Sequence, residues 1–200
     1  MLRSLALAWL ATGCLAPAPA LEERFFELPP MVATPVTPPV DAVDRPALSG
    51  ASVSANASVQ RALTWRLSPV EITFDETALW VEEPAKLVRR ALEQRLFEIE
   101  GFRGSPEDNG LHLWMESLEG DISGAAQARV AFRAVRGERE ARIEGSAPLT
   151  TRTSEALVFA LGAALDNAFD ELAAWIWSHA EPVPSSASDR SDAAPSDGSE

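Results

Sequence analysis

The sequence predicts an α/β fold: a single domain with one mixed or antiparallel sheet of about five or six strands and two main helices packed on it. Three observations predict it. Between Arg61 and Gly145, apolar and polar residues alternate in several short runs, the period of two of half-buried strands. After Pro84 and after Thr153, apolar residues recur at helical spacing instead. Glycine and proline punctuate the intervals.

The chain opens with a segment that belongs to targeting and not to the fold. One basic residue, Arg3, precedes the apolar run Leu5–Ala11, then Thr12, Gly13 and Cys14, the sole cysteine. A charged start, a brief apolar stretch and small residues before a cut site describe a secretory signal peptide. The run is well short of the ~20 apolar residues of a membrane-spanning helix. Cys14 stands where a bacterial lipoprotein carries its acyl anchor, and a thiolate is the nucleophile such acylation needs. Cleavage after Ala18 or Ala20 is the competing reading, since Ala16–Ala20 offers small residues at the required spacing. A disulfide within the chain is excluded, because Cys14 has no partner. The expected organisation is a signal peptide over 1–13, a lipidated tether over 14–23, the domain over 24–180 and an acidic tail over 181–200.

Within the domain, Arg24–Leu28 is a short strand candidate stopped by Pro29 and Pro30. The prolines from Met31 to Pro46 forbid a helix and leave extended or edge chain. Ser49–Ser58, small and polar, reads as a loop. In Arg61–Leu67, Leu63, Trp65 and Leu67 share one face; in Val70–Phe74, Val70, Ile72 and Phe74 do, with Pro69 bending the chain between. Leu111–Leu118 alternates through Leu111, Leu113 and Met115. Ala126–Val135 alternates through Ala128, Val130, Phe132 and Ala134, turns near Gly137 and returns over Arg139–Gly145 as a hairpin.

The first helix begins at Pro84, whose fixed φ suits the first helical position. Val88, Leu92, Leu96 and Ile99 form its core stripe, and Gly101 ends it in a left-handed cap. The second opens at Thr153 or Ser154 as N-cap and runs to about His179. Leu157, Leu161, Ala164, Ala168, Leu172 and Trp175 make its stripe, with Asp166 and Asp170 opposite. From Glu181 the Pro/Ser/Asp-rich tail has too few apolar residues to offset its ordering entropy, so it is expected to be disordered.

The formal net charge of -13 argues against a nucleic-acid footprint, which would be basic. No catalytic constellation is visible. His112 sits at a strand position opposite Leu111 and Leu113 and is expected to be solvated; His179 ends a helix, where an imidazolium suits the dipole. Neither histidine has a metal-ligand partner nearby in sequence, so no metal and no cofactor beyond a covalent lipid on Cys14 is expected. Glu82 and Glu83 read as a charge cluster at a helix start, not as an acid–base pair. What remains is unexplained apolar surface. Phe159 and Trp177 lie five helical turns apart and point the same way, towards the face of Asp166 and Asp170, while Leu87 and Phe97 fall off the first helix's stripe. These four are the candidate interface residues.

Motifs along the chain resemble the ABC-type transport auxiliary lipoproteins, the family that includes the lipoprotein of the paraquat-inducible intermembrane transport system. Behind Cys14 come an aromatic pair before Leu-Pro (Phe25, Phe26, Leu28, Pro29), a Pro-rich approach to Asp44-Arg45-Pro46, and the run Leu63 to Pro69. Then follow Asp75-Glu76, Trp80 and Glu83-Pro84, the helix start Leu87 to Leu92, and Glu171 to Trp175 near the end of the last helix. Phenylalanine replaces the usual tyrosine of the aromatic pair, and residues 49–58 and the acidic tail are additions. The resemblance implies a non-catalytic lipoprotein of the outer membrane, facing the periplasm, that forms a homo-oligomer and docks the MCE-domain protein of an ABC transporter moving lipids or other hydrophobic compounds. Its fold would be one sheet with helices packed on it. A lipoprotein of envelope assembly, or one regulating cell-wall synthases, is the alternative. An esterase-like enzyme is a distant third, since it would need a nucleophile with a partnered base.

Overall fold

A computed structural model of the chain describes residues 21–30, 47–104 and 110–179. Cys14, the tether as far as Ala20 and the acidic tail lie outside the described residues, as do the prolines between 31 and 46. The described residues form an open mixed sheet of seven strands with two helices on one face, the predicted class. The strands are β1 (Arg24–Phe26), β3 (Ala51–Ala55), β4 (Ala62–Ser68), β5 (Glu71–Trp80), β7 (Leu111–Asp121), β8 (Gln127–Arg136) and β9 (Arg139–Pro148). β2 (Ala47–Leu48) and β6 (Arg103–Gly104) make a separate two-stranded ladder. The helices are α1 (Pro84–Glu93), continued by a π-helical segment over Gln94–Ile99, and α2 (Ser154–Ser178).

Across the sheet the order is β1-β5-β4-β7-β8-β9. β7, β8 and β9 form an antiparallel meander. The other edge of β7 is shared: its first half pairs with β3 and its last residues with β4, both parallel. β3 is where the sequence misleads. Small residues concealed a strand in which Ala51 and Val53 pack against the core while Ser52 and Ser54 turn to the other face. Val53 alone supplies a large apolar side chain, so the alternation carried little signal.

Alternation elsewhere is as expected. Leu111, Leu113, Met115, Val130, Phe132, Ala134 and Ile143 are buried under the helices. A bulge at Glu116 resets the register of β7, so that Leu118 still faces inward opposite Val130. Ile72 and Phe74 differ. They pair with Arg66 and Thr64 and lie on the face away from the helices, half-buried.

α2 starts where predicted, with the Thr153 hydroxyl accepting from the Ala156 amide at 3.3 Å. It buries far more than one stripe, from Leu157 through Phe169 to Ile176. Gly145 lets α2 approach β9, since a Cβ there would stand 2.0 Å from the Ala164 carbonyl oxygen. On the helix's other side Gly162 admits Pro29, whose Cγ would lie 2.5 Å from an added Cβ. The free edge of β9 is covered as well: Glu171 accepts from the Glu144 amide at 3.1 Å, and Asn167 donates to the Ser146 carbonyl at 2.9 Å.

α1 departs from its expected phase. After Glu93 the chain widens into π turns, with the Glu100 amide reaching back to the Arg95 carbonyl at 2.9 Å. Arg95, three residues after Leu92 and seven after Val88, is fully buried beside Leu96, and the wider turn that follows carries Ile99 off this face and leaves it half-buried. Gly101 caps the segment at φ 68°, as predicted, and the Phe102 amide bonds the Leu96 carbonyl across the widened turn.

Candidate functional site

The four proposed interface residues separate in the structure. Leu87 is a correction: it is 3% exposed and belongs to the core. α1 buries Pro84, Leu87, Val88 and Leu92, so its apolar face is wider than a single stripe. Trp177 is a correction of a different kind. It shares a heading with Phe159, but at its level Phe102, on the chain leaving the π segment, stacks on it at 5.4 Å between centroids. Trp177 is half-buried against the core. Phe97 also packs partly on the core, and its outer edge lines a hollow with Arg90, Glu93, Gln94 and Glu98. Phe159 alone of the four stands clear, 69% exposed near the start of α2.

The Asp166/Asp170 face is only partly solvated: Asp170 is exposed and Asp166 is half-buried. Arg95, buried on the π segment, forms an ion pair with Asp170 and another with Glu100 at 2.9 Å. Asp166 is half-buried beside them, and one of its carboxylate oxygens has no hydrogen-bond partner. Burial pushes its pKa up, against the attraction of Arg95 and with the repulsion of Asp170. This cluster joins the π segment to α2 and accounts for the polar residues inside an otherwise apolar interface.

The open face of the sheet carries the polar chemistry. His112 is half-buried, and its two ring nitrogens meet the Ser52 hydroxyl at 2.6 Å and the Ser54 hydroxyl at 3.0 Å. Trp114 packs edge-on against His112, and the Arg133 guanidinium sits over the Trp114 ring at 4.5 Å. Trp114 is 40% exposed, an aromatic side chain in the middle of a charged surface. A serine–histidine contact invites comparison with a hydrolytic dyad. Here the second ring nitrogen meets another serine instead of the carboxylate that orients a catalytic imidazole. Composition hid this cluster, because Ser52 and Ser54 come from the strand that read as a loop.

Two further carboxylates on this face are tied down. Arg66 holds Glu119 through both oxygens, at 2.6 and 2.9 Å. The Ser123 hydroxyl and amide, with Arg129, keep the Asp121 carboxyl below its ordinary range despite burial. Asn56, in a glycosylation-like Asn-Ala-Ser sequence, spends its side chain locally on Ser58 and the Glu116 carbonyl. Among the described residues no group of three or more histidine, cysteine or acidic side chains is placed to hold a metal ion. None of the described helices is long and apolar enough to cross a membrane.

No protein-family model matches the chain, and no curated protein matches it by sequence. Solved structures do match. One is the crystal structure of a Xanthomonas campestris protein assigned to the family DUF330, with a TM-score of 0.60 and 16% identity, covering 78% of this chain and 95% of that one. The chain shares the fold of a DUF330 protein. A second is the crystal structure of an uncharacterized protein, with a TM-score of 0.59 and 13% identity over 78% of this chain and 99% of that one. The strand order and the two helices described above are therefore an arrangement that very different sequences specify.

Proposed function

We propose that this chain is a non-catalytic outer-membrane lipoprotein, anchored through Cys14, that serves as the auxiliary or docking component of an MCE-type ABC transport system for lipids or other hydrophobic compounds. The observation that carries this reading is the ordered set of motifs behind Cys14, from the Phe25-Phe26 pair to Trp175. The fold is consistent with it: among the described residues, helices pack on one face of the sheet, and neither the other face nor the outer side of α2 near Phe159 is covered by a further helix. Phe159, Trp114 and Phe25 are exposed aromatic residues on those surfaces, and aromatic side chains are enriched where proteins dock.

The reading makes two demands. One acyl chain gives marginal membrane binding, with K of about 10⁴ M⁻¹, whereas two or more hold stably. Cys14→Ala should therefore leave the membrane fraction or remain unprocessed, while the wild type sediments with outer membranes on a density gradient. A wild-type mature protein that starts at Leu21 without lipid, by mass spectrometry, would overturn the anchor. Secondly, the purified wild type should capture an MCE-domain protein from the same cells. Capture of a cell-wall synthase in its place would favour the alternative, an envelope-assembly or regulatory lipoprotein.

A further inference from the structure

We infer that the β4–β5 hairpin tip is a membrane-contacting element that rests in the headgroup layer of a zwitterionic bilayer; this rests on the lipid-anchor reading above. The tip is Leu67-Ser68 at the end of β4 and the two turn residues Pro69-Val70 that lead into β5. Val70 is 94% exposed, and Leu67 and Pro69 are exposed beside it. Buried apolar surface is what a fold ordinarily gains from such residues, and here the core gains none.

The strand directions say what lies opposite the tip. β1 runs parallel to β5, with Arg24 level with Ala78, so the chain ahead of Arg24 points back towards the start of β5 and hence the tip. β7 ends at the same side, where the Ile122 amide bonds the Arg66 carbonyl at 2.9 Å. α2 starts there too, through Ser154 on Asp75 and Arg24 on Glu155. The β8–β9 turn at Gly137 marks the far end, level with Leu111 at the start of β7.

From Cys14 to Leu21 there are seven Cα-to-Cα steps. Fully stretched they reach roughly 25 Å. The 11 residues of β7 span about 35 Å along the sheet. An anchor on Cys14 thus leaves from the tip end and holds that end nearer the lipid than the β8–β9 turn. Leu21, 74% exposed, adds apolar surface on the tether's own side of that end.

Charge selects the kind of surface. Glu22, Glu23 and Glu71 are exposed at this end against Arg152, while Arg66 is occupied by Glu119. An anionic leaflet would repel this end, and a zwitterionic one would not.

The test uses the full-length protein with Val70→Cys, purified after processing in cells, so that acylated Cys14 leaves position 70 as the free thiol. Intact mass establishes the acylation, and a polarity-sensitive bimane is attached at position 70. After reconstitution in phosphatidylethanolamine/phosphatidylcholine vesicles, the label should shift to the blue and be quenched by a nitroxide carried on the lipid headgroup. Including phosphatidylglycerol should weaken both effects. The same label on Glu138→Cys, at the β8–β9 turn, should report water throughout. An acylated protein whose position-70 label stays in water overturns the inference and spares the anchor. Equal quenching at positions 70 and 138 overturns it as well, since the domain would then lie on the lipid without preference. A chain whose Cys14 carries no lipid overturns both.

Discussion

Leu87 and Phe159 both lie off the core stripe of their helices in the sequence, and their surroundings in the fold are opposite. Leu87 is 3% exposed, so Leu87→Ala should cost about 2–4 kcal/mol by chemical denaturation, the range for emptying a leucine site in a core. Phe159→Ser should stay within about 0.5 kcal/mol of the wild type, because nothing packs around that ring that burial would reward. Asp166 tests the buried charge cluster. Burial raises its folded pKa above the ordinary 3.8, so the folded state holds a proton that the unfolded chain has already released. The penalty of its charged form is fully present above the raised folded pKa and fades as pH falls through that value towards 3.8. Asp166→Asn should therefore raise Tm at pH 7, and the gain should shrink as pH is lowered through this window. A gain independent of pH would mean the amide acts through packing and not through charge. Asp121 has the opposite sign. Its folded pKa is lowered, so its contribution is present above 3.8 and is lost as pH falls below that value.

Elements show where a local rule stops working. α1 carries a good first turn at Pro84 and a good cap at Gly101, and both are used as the sequence predicts. Between them the π segment inserts a wider turn, which carries Ile99 off the stripe of Val88 and Leu92 while Arg95, seven residues after Val88, stays on it and meets Glu100 and Asp170. Glu100 lies only five residues on, but Asp170 is 75 residues away in sequence, beyond any local window. β3 makes the complementary point: Ser52 and Ser54 are strand residues because β7 offers an edge to pair with, not because serine favours strands. The contact of α2 with β9 is the tightest between elements, and it depends on a missing side chain. Gly145→Ala would press a methyl group against the Ala164 carbonyl and the Ala168 amide, and should destabilise the fold by about 1–3 kcal/mol or more. Gly124→Ala, whose added Cβ would meet nothing within 4 Å, is the control and should leave the denaturation midpoint nearly unchanged. Equal effects would show that helix and strand yield easily at this contact.

At the scale of the whole molecule, the described residues cover one face of the sheet with helices and place no helix on the other. The open face is not apolar throughout: Arg66, Arg129 and Arg133 are spread among Glu119, Asp121 and Glu140, with Trp114 and Phe74 between them. Antiparallel strands tolerate this arrangement, because one face suffices for the core. If the protein self-associates through the outer side of α2, as the proposed homo-oligomer allows, Phe159→Ser should keep its circular dichroism and reduce its sedimentation coefficient. An unchanged coefficient with intact partner binding would leave Phe159 an ordinary exposed side chain, of which folded surfaces have many.

Period and punctuation were enough to determine which segments become β4, β7, β8, β9 and α2 and the first half of β5, since the inward residues from Leu63 to Ile143 and from Leu157 to Leu172 repeat at the spacing their backbone imposes; the second half of β5, with the buried Ala78 and Trp80, was not marked by alternation. Those are local properties, carried within a dozen residues. Tertiary structure alone decided that β7 would share one edge between β3 and β4, that Asp170 would meet Arg95, and that Phe102 would cover Trp177. Each of these depends on a partner far along the chain, and the free energy that selects it comes from burial and pairing across the sheet, which no local window contains.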